Sequence, residues 1–380
     1  MDLTQTEAHS EIADPAANTG RFAAIYKVLQ DALDSRAFPG CAFGVLSEGE
    51  VVLSDALGGF TFEDDTSAVR PATPFDIASL TKVVSTTAVA MLLFQSGQLD
   101  LDTPLGELLP GFIVGREDAA LRRRITLRNL LAHNSGLPGY AGFYRTASTP
   151  AALFRACLEL PIETIPGERA EYSDPGFILL GKALEVLTHE SLADSALKQV
   201  FSPLGMTSTV FRPSGELRRS IPPTEIDTTF RHRTIQGEVQ DENAWVLDGI
   251  AGHAGLFSNV PDLLRFAGEI IDGLGTAGKS ASPLFSAETI RTFCERQSPV
   301  GSSRALGWDT PSGESSAGRH FSRHSIGHLG YSGCSIWIDL DASLAAILLT
   351  NRTWPDRQSQ AIRHVRPAFH DAVRESLSSV

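Results

Sequence analysis

The chain has 380 residues, 42% of them hydrophobic and 20% charged, a composition that suits a soluble globular protein with a sizeable core. Its formal net charge of -13 argues against nucleic acid or an anionic membrane surface as the main partner, since both reward the opposite sign. Lysine is scarce: Lys27, Lys82, Lys182, Lys198 and Lys279 are the only five, so a lysine in an unusual setting is conspicuous.

Residues 1–20 are polar and acidic, with no basic start and no apolar stretch, and read as a disordered tail. That pattern is neither a secretory leader nor an anchor, and the protein is expected to be cytoplasmic, or periplasmic if a leader was removed. No window is expected to reach the ~18 apolar residues that span a bilayer. Cys41, Cys157, Cys294 and Cys334 lie far apart without a C-x-x-C pair, so buried free thiols are expected rather than a zinc knuckle or a disulfide scaffold.

In chain order, Phe22, Ile25, Val28, Leu29 and Leu33 fall at helical spacing, predicting an amphipathic helix over 21–35. Two short apolar runs, 41–46 and 51–59, are parted by Ser47-Glu48-Gly49-Glu50 and predict a hairpin. From Ser79 to Gln95 the pattern is apolar on nearly every side, the mark of a buried helix, and Gly97 can end it. Helical segments follow at 126–132, 150–160, 177–188 and 192–201, divided by turns such as Pro110-Gly111 and Pro166-Gly167. Residues 221–255 are polar and irregular, as loops that line sites often are. Strand-like runs at 334–338 and 344–350 and a helical stretch at 358–376 close the chain. The plan is β at both ends and mainly α between.

A serine hydroxyl is a weak nucleophile until a neighbouring base takes its proton. In Ser79-Leu80-Thr81-Lys82 the serine and lysine are three apart and share one face of a helix. That helix is apolar, and desolvation disfavours a charged lysine, so Lys82 is expected to be neutral enough to act as the base. Ser195-Ala196-Leu197-Lys198 repeats the pattern on an amphipathic helix with Glu190, Asp194 and Gln199 on its wet face. Lys198 is therefore expected to be an ordinary solvated lysine and Ser195 a decoy. His133 and His253 stand beside glycines in turns, without a ligand partner at metal spacing, and read as structural or rim residues. There is no G-x-S-x-G elbow and no H-E-x-x-H.

The segment Phe75-Asp76-Ile77-Ala78-Ser79-Leu80-Thr81-Lys82 resembles the nucleophile segment of the serine β-lactamase and penicillin-binding-protein superfamily, and most of all its class C β-lactamase and DD-peptidase branch, which includes esterases and amidases. Further segments match in the expected order: ITLRNLLAHNSG at 125–136, Pro166-Gly167, Glu171-Tyr172-Ser173-Asp174, Ser202-Pro203-Leu204-Gly205-Met206, Gly252-His253-Ala254-Gly255-Leu256, Leu306-Gly307-Trp308, and Gly327-His328-Leu329-Gly330-Tyr331-Ser332-Gly333. The resemblance runs from about Phe22 to Arg352.

It implies an α+β fold of the β-lactamase/transpeptidase type, an antiparallel sheet flanked by helices, with an inserted α-rich lobe. The sheet lobe would come from 21–78 and 255–380 and the α-rich lobe from 79–254, as one domain over 21–380. It implies Ser79 as nucleophile, Lys82 and Tyr172 handling its proton, and an oxyanion hole from the backbone N–H groups of Ser79 and Tyr331 next to Gly330, with no metal or organic cofactor. Two departures bear on substrate. Asp174 stands where the branch has Asn, and an ionised Asp can only accept hydrogen bonds; it would hold Lys82 or favour a substrate amine. His328 and Leu329 replace the Lys and Thr of K-T-G, so a substrate carboxylate is held less well; His328 is either part of the catalytic group or a structural partner of the Tyr172 hydroxyl.

The function expected is a serine hydrolase forming a Ser79 acyl-enzyme, an amidase or peptidase on peptidoglycan-derived fragments. The alternatives are a carboxylesterase or class C β-lactamase, or a non-catalytic penicillin-binding sensor. The partner would be a small molecule (a muropeptide, ester or β-lactam-like compound), with neither nucleic acid nor membrane. The stretch 221–255 resembles loops of family members linked to amide cleavage in muropeptides.

Overall fold

A computed structural model describes residues 20–275 and 282–378. The tail expected at 1–20 lies outside them except for Gly20.

The predicted first helix forms as α1 (Ala23–Asp34), burying Ile25, Leu29 and Ala32, and the predicted hairpin as β1 (Gly40–Ser47) and β2 (Glu50–Gly58). The chain returns to the same sheet near its other end with β3 (Ser325–Leu329), β4 (Ser335–Asp339) and β5 (Leu344–Thr350). The five strands run antiparallel in the order β2-β1-β5-β4-β3, with Cys41 opposite Thr350 and Leu329 opposite Ser335. Strand alternation sorts the side chains: Phe43, Val45, Trp337, Ala346 and Leu348 meet α1 and the last helix, Ile362–Ser378, in one core. Ala42, Ile336, Ile338, Ala345, Ile347 and Leu349 face the other core, which includes helix Val260–Gly273. Helices therefore cover both faces of the sheet, as its two apolar faces require.

Residues 78–95 form one irregular helix, a 3-10 turn (Ala78–Leu80), a π-helical stretch (Lys82–Thr87) and an α-helix (Ala88–Gln95). Contrary to the sequence expectation, this segment is long and apolar enough to cross a bilayer; 78% of it is buried inside the protein. Its apolar surface is matched by the core, with helices Leu192–Ala196, Ala287–Cys294 and Asp174–Thr188 packed against it. The last of these, α2 (Asp174–Thr188), begins three residues before the predicted start because Ser173 caps it: the Ser173 side chain accepts from the Gly176 N–H.

The irregular stretch 221–255 holds a short hairpin, Glu225–Asp227 with Arg233–Ile235, and a one-turn helix, Glu242–Val246. All four cysteines are free; Cys294 is only half-buried, unlike the other three.

Candidate active site

The nucleophile turn is built from its backbone outward. Strand Phe75–Asp76 pairs with Leu256–Ser258, and two residues later Ala78 takes a left-handed φ of 48°, unusual for a side chain with a Cβ. The buried Asp76 carboxylate holds this conformation, accepting from the Ala78 N–H at 2.8 Å and the Gln240 N–H at 2.7 Å. Burial pushes the Asp76 carboxyl up to about 6, against those two donors. Thr81 completes the turn by donating its hydroxyl to the Ala78 carbonyl at 2.6 Å and accepting from the Leu256 N–H. Ser79 thus enters the helix in its first turn, where amide groups have no intrahelical acceptor.

Lys82 lies one turn on and is fully buried. Its ammonium donates to the Ser79 hydroxyl at 3.1 Å, to Asp174 at 2.7 Å and to the His253 carbonyl at 3.1 Å. Its nitrogen also lies 4.7 Å from the centre of the Tyr172 ring. Burial favours the neutral amine, but the adjoining Asp174 carboxylate and Tyr172 outweigh it and hold Lys82 above the ordinary lysine range. This corrects the expectation of a neutral lysine: the resting residue is an ammonium ion paired with Asp174. Asp174 thus takes the first of the two roles that the sequence left open for it, holding Lys82, and its charge is what the apolar helix alone does not show.

Tyr172 is fixed from both flanks by His133. The Glu171 N–H donates to the His133 carbonyl at 2.7 Å and the Ser173 N–H to His133 Nδ1 at 3.0 Å, while the two rings pack 4.6 Å apart. Because Nδ1 accepts, the ring is neutral with its proton on Nε2, in keeping with burial, which depresses its basicity well below normal. Burial raises the Tyr172 phenol above its ordinary value, with Lys82 opposing. His133, read from sequence as a structural or rim residue, is thus the support of Tyr172. Arg304, which sequence reading missed, puts its guanidinium 5.4 Å from the same ring. Its position next to Leu306-Gly307-Trp308 was the available signal.

His328 lies on β3 and is buried, its Nδ1 bound to the Leu329 carbonyl at 2.9 Å and its ring 5.9 Å from that of Tyr172. Burial, then the charges of Lys82 and Arg304, push it well below the usual histidine range, so it is neutral. Nε2 then carries the lone pair, and it has no hydrogen-bond partner among the described residues. The hydrogen bond to the Tyr172 hydroxyl considered from sequence is not formed. Beyond β3, the turn Gly330–Gly333 abuts the nucleophile turn: a Cβ on Gly330 would stand 2.5 Å from the Ile77 carbonyl, and the Ser332 hydroxyl donates to the Asp76 carbonyl at 2.7 Å.

These groups open on a cleft of about 780 Å³ lined by Ser79, Tyr172, Asp174, His328, Gly330 and Tyr331. From the stretch 221–255 come Gln240, Asp241 and Glu242, so this loop does border the site. Asp241 pairs with buried His253 at 2.9 Å; burial works against its charge, but His253 and the Ala244 N–H hold its carboxyl down at about 2. The rival serine fares differently. The Ser195 hydroxyl is buried against Thr188 at 3.2 Å, and Lys198 is exposed and paired with Glu190.

The string GLGTAGKS at 273–280 fits the phosphate-loop pattern. Such a loop needs a strand before it, whereas Gly273 here ends a helix, and 276–281 lie outside the described residues. No site is assigned there.

The architecture has solved counterparts. EstCE1, a hydrolase with promiscuous acyltransferase activity, superposes with a TM-score of 0.73 at 21% identity over 93% of this chain and all of that one. Among curated proteins, an N-acetylmuramyl-L-alanine amidase of Bacillus subtilis (strain 168) is 30% identical over 348 residues, 83% of this chain and 77% of the relative. A protein of Escherichia coli (strain K12) named "Putative D-alanyl-D-alanine carboxypeptidase" is 28% identical over 347 residues, 83% of this chain and 79% of its own. The beta-lactamase family model matches residues 25–368, nearly the whole described chain, and the protein therefore belongs to the beta-lactamase family of serine hydrolases.

Proposed function

We propose that the protein is an amidase that cleaves peptidoglycan-derived fragments through an acyl-enzyme on Ser79. The observation that carries this reading is the position of the Lys82 ammonium, which joins Ser79 at 3.1 Å to Asp174 at 2.7 Å beneath the Tyr172 ring. Ser79 Oγ attacks the amide carbon, and its proton passes into the Lys82–Tyr172 group. The oxyanion that forms is met by the N–H groups of Ser79 and Tyr331. Tyr172 returns the proton to the departing amine, the C–N bond breaks, and water then hydrolyses the ester to free Ser79.

The amide is favoured over other acyl groups by the relative named for muramyl-L-alanine cleavage and by the cleft itself. Asp174, Asp241 and Arg304 all line it, and carboxylates together with a guanidinium suit a fragment bearing both ammonium and carboxylate groups. A second reading, a carboxylesterase, is favoured by the neutral His328 beside Leu329, which gives a substrate carboxylate no cation at that point. Hydrolysis of N-acetylmuramyl-L-alanine peptides beside p-nitrophenyl acyl esters separates the two. Amide turnover supports the amidase; ester turnover with none on the muropeptides supports the esterase.

A further inference from the structure

In the turn that follows β3, five consecutive carbonyl groups are all engaged. Gly330 O accepts from Arg366 Nη2 at 2.6 Å and from the Gly333 N–H at 3.0 Å. Tyr331 O accepts from Arg352 Nε at 2.8 Å, and Ser332 O from the Arg352 N–H at 2.9 Å and the Thr350 hydroxyl at 3.1 Å. Gly333 O accepts from Arg366 Nε at 3.2 Å, and Cys334 O from Arg366 Nη2 at 2.8 Å and the Gly330 N–H at 2.7 Å. The Tyr331 N–H, in the middle of this set, donates to no group among the described residues.

A trans peptide sets its C=O and N–H in opposite directions. Arg366 draws the Gly330 carbonyl toward helix Ile362–Ser378, so the N–H of the same peptide, that of Tyr331, is turned away from that helix and left free as a donor. Rotating this peptide would break the contact to Arg366. The guanidinium is buried and makes no ion pair among the described residues. A buried cation without a counter-ion is costly unless its donors are all used, and an apolar side chain would fill the same space without that cost. Arginine suits the task because its planar fork reaches three carbonyls at fixed angles, which one ammonium cannot do.

We propose that Arg366 is a positioning residue that locks the Gly330–Tyr331 peptide in the orientation that receives the oxyanion, with Arg352 bracing the next carbonyl. This rests on the reading of the Tyr331 N–H as an oxyanion donor.

The test compares wild type with Arg366→Lys and Arg366→Met, using substrate turnover, fluorophosphonate labelling, an arylboronic acid that forms a tetrahedral Ser79 adduct, and the carboxylic acid product as a ground-state ligand. Losing one oxyanion donor costs about 10²–10³-fold in kcat, and a misaligned one should cost about 10–100-fold. Expected are that fall in kcat with little change in KM, an equal loss of boronate affinity, and unchanged product binding. Variants with wild-type kcat and boronate affinity overturn the proposal, as does a variant that weakens boronate and product alike. Should Arg366→Met fail to fold, Arg366→Lys, which keeps the charge, decides. A wild type that takes no fluorophosphonate on Ser79 would refute the acyl-enzyme itself, whereas a labelled wild type with equally fast variants refutes only the role of Arg366.

Discussion

Lys82 and Asp174 form an ion pair 2.7 Å apart in which the lysine is fully buried and the carboxylate reaches the cleft. With the neighbouring phenol neutral, the Lys82–Tyr172–Asp174 group carries one positive and one negative charge at rest. Ser79 can give up its proton only to the fraction of molecules in which the Lys82–Tyr172 group has lost one.

Both members of that group hold their protons above their ordinary values, Lys82 through Asp174 and Tyr172 through burial. The competent fraction therefore grows as pH rises, and kcat/KM is expected to climb from neutral pH through pH ~9 and beyond, since unperturbed lysine and tyrosine titrate near ~10. Asp174→Asn removes the charge that opposes burial at Lys82, and an opposite charge at this range is worth about 1–3 pH units. Its pH–rate profile should rise at lower pH by about that amount. A limb that stays put, or moves to higher pH, would show that Asp174 does not set the lysine.

Tyr172→Phe keeps the ring against His133 and Arg304 but deletes the hydroxyl. General acid–base groups contribute about 10²–10⁴-fold, so kcat should fall by that factor with the melting temperature nearly unchanged. Calorimetry and steady-state kinetics on the same preparation check both halves. Wild-type kcat in this variant would remove Tyr172 from the mechanism.

Asp76→Ala would leave the Ala78 and Gln240 N–H groups without their acceptors. Each orphaned buried donor costs about 1–3 kcal/mol, so the loss should be about 2–6 kcal/mol. Urea unfolding measures it. A loss under about 1 kcal/mol would mean that the left-handed Ala78 turn is held by other contacts.

What the sequence could and could not reveal follows from distance along the chain. Helix 78–95, the hairpin of β1 and β2, and strand β5 were legible because each is specified by neighbouring side chains: periodicity, a turn, an apolar run. The order of motifs pointed to the family and placed Ser79, Lys82, Tyr172 and Asp174, which the fold brings together. The charge of Lys82 was read wrongly because it depends on a carboxylate from another helix. His133 was underrated for the same reason, since its purpose lies in residues 171 and 173, and Arg366 acts on a turn more than thirty residues earlier. Long-range polar contacts leave no periodic trace.

Intact-mass analysis after treatment with a fluorophosphonate, on wild type, Ser79→Ala and Ser195→Ala side by side, probes the nucleophile itself. One adduct is expected on wild type and on Ser195→Ala, and none on Ser79→Ala, because the Ser195 hydroxyl is buried against Thr188 without a lysine beside it. An adduct that persists in Ser79→Ala would contradict Ser79 as the nucleophile and the Lys82–Tyr172 chemistry built upon it.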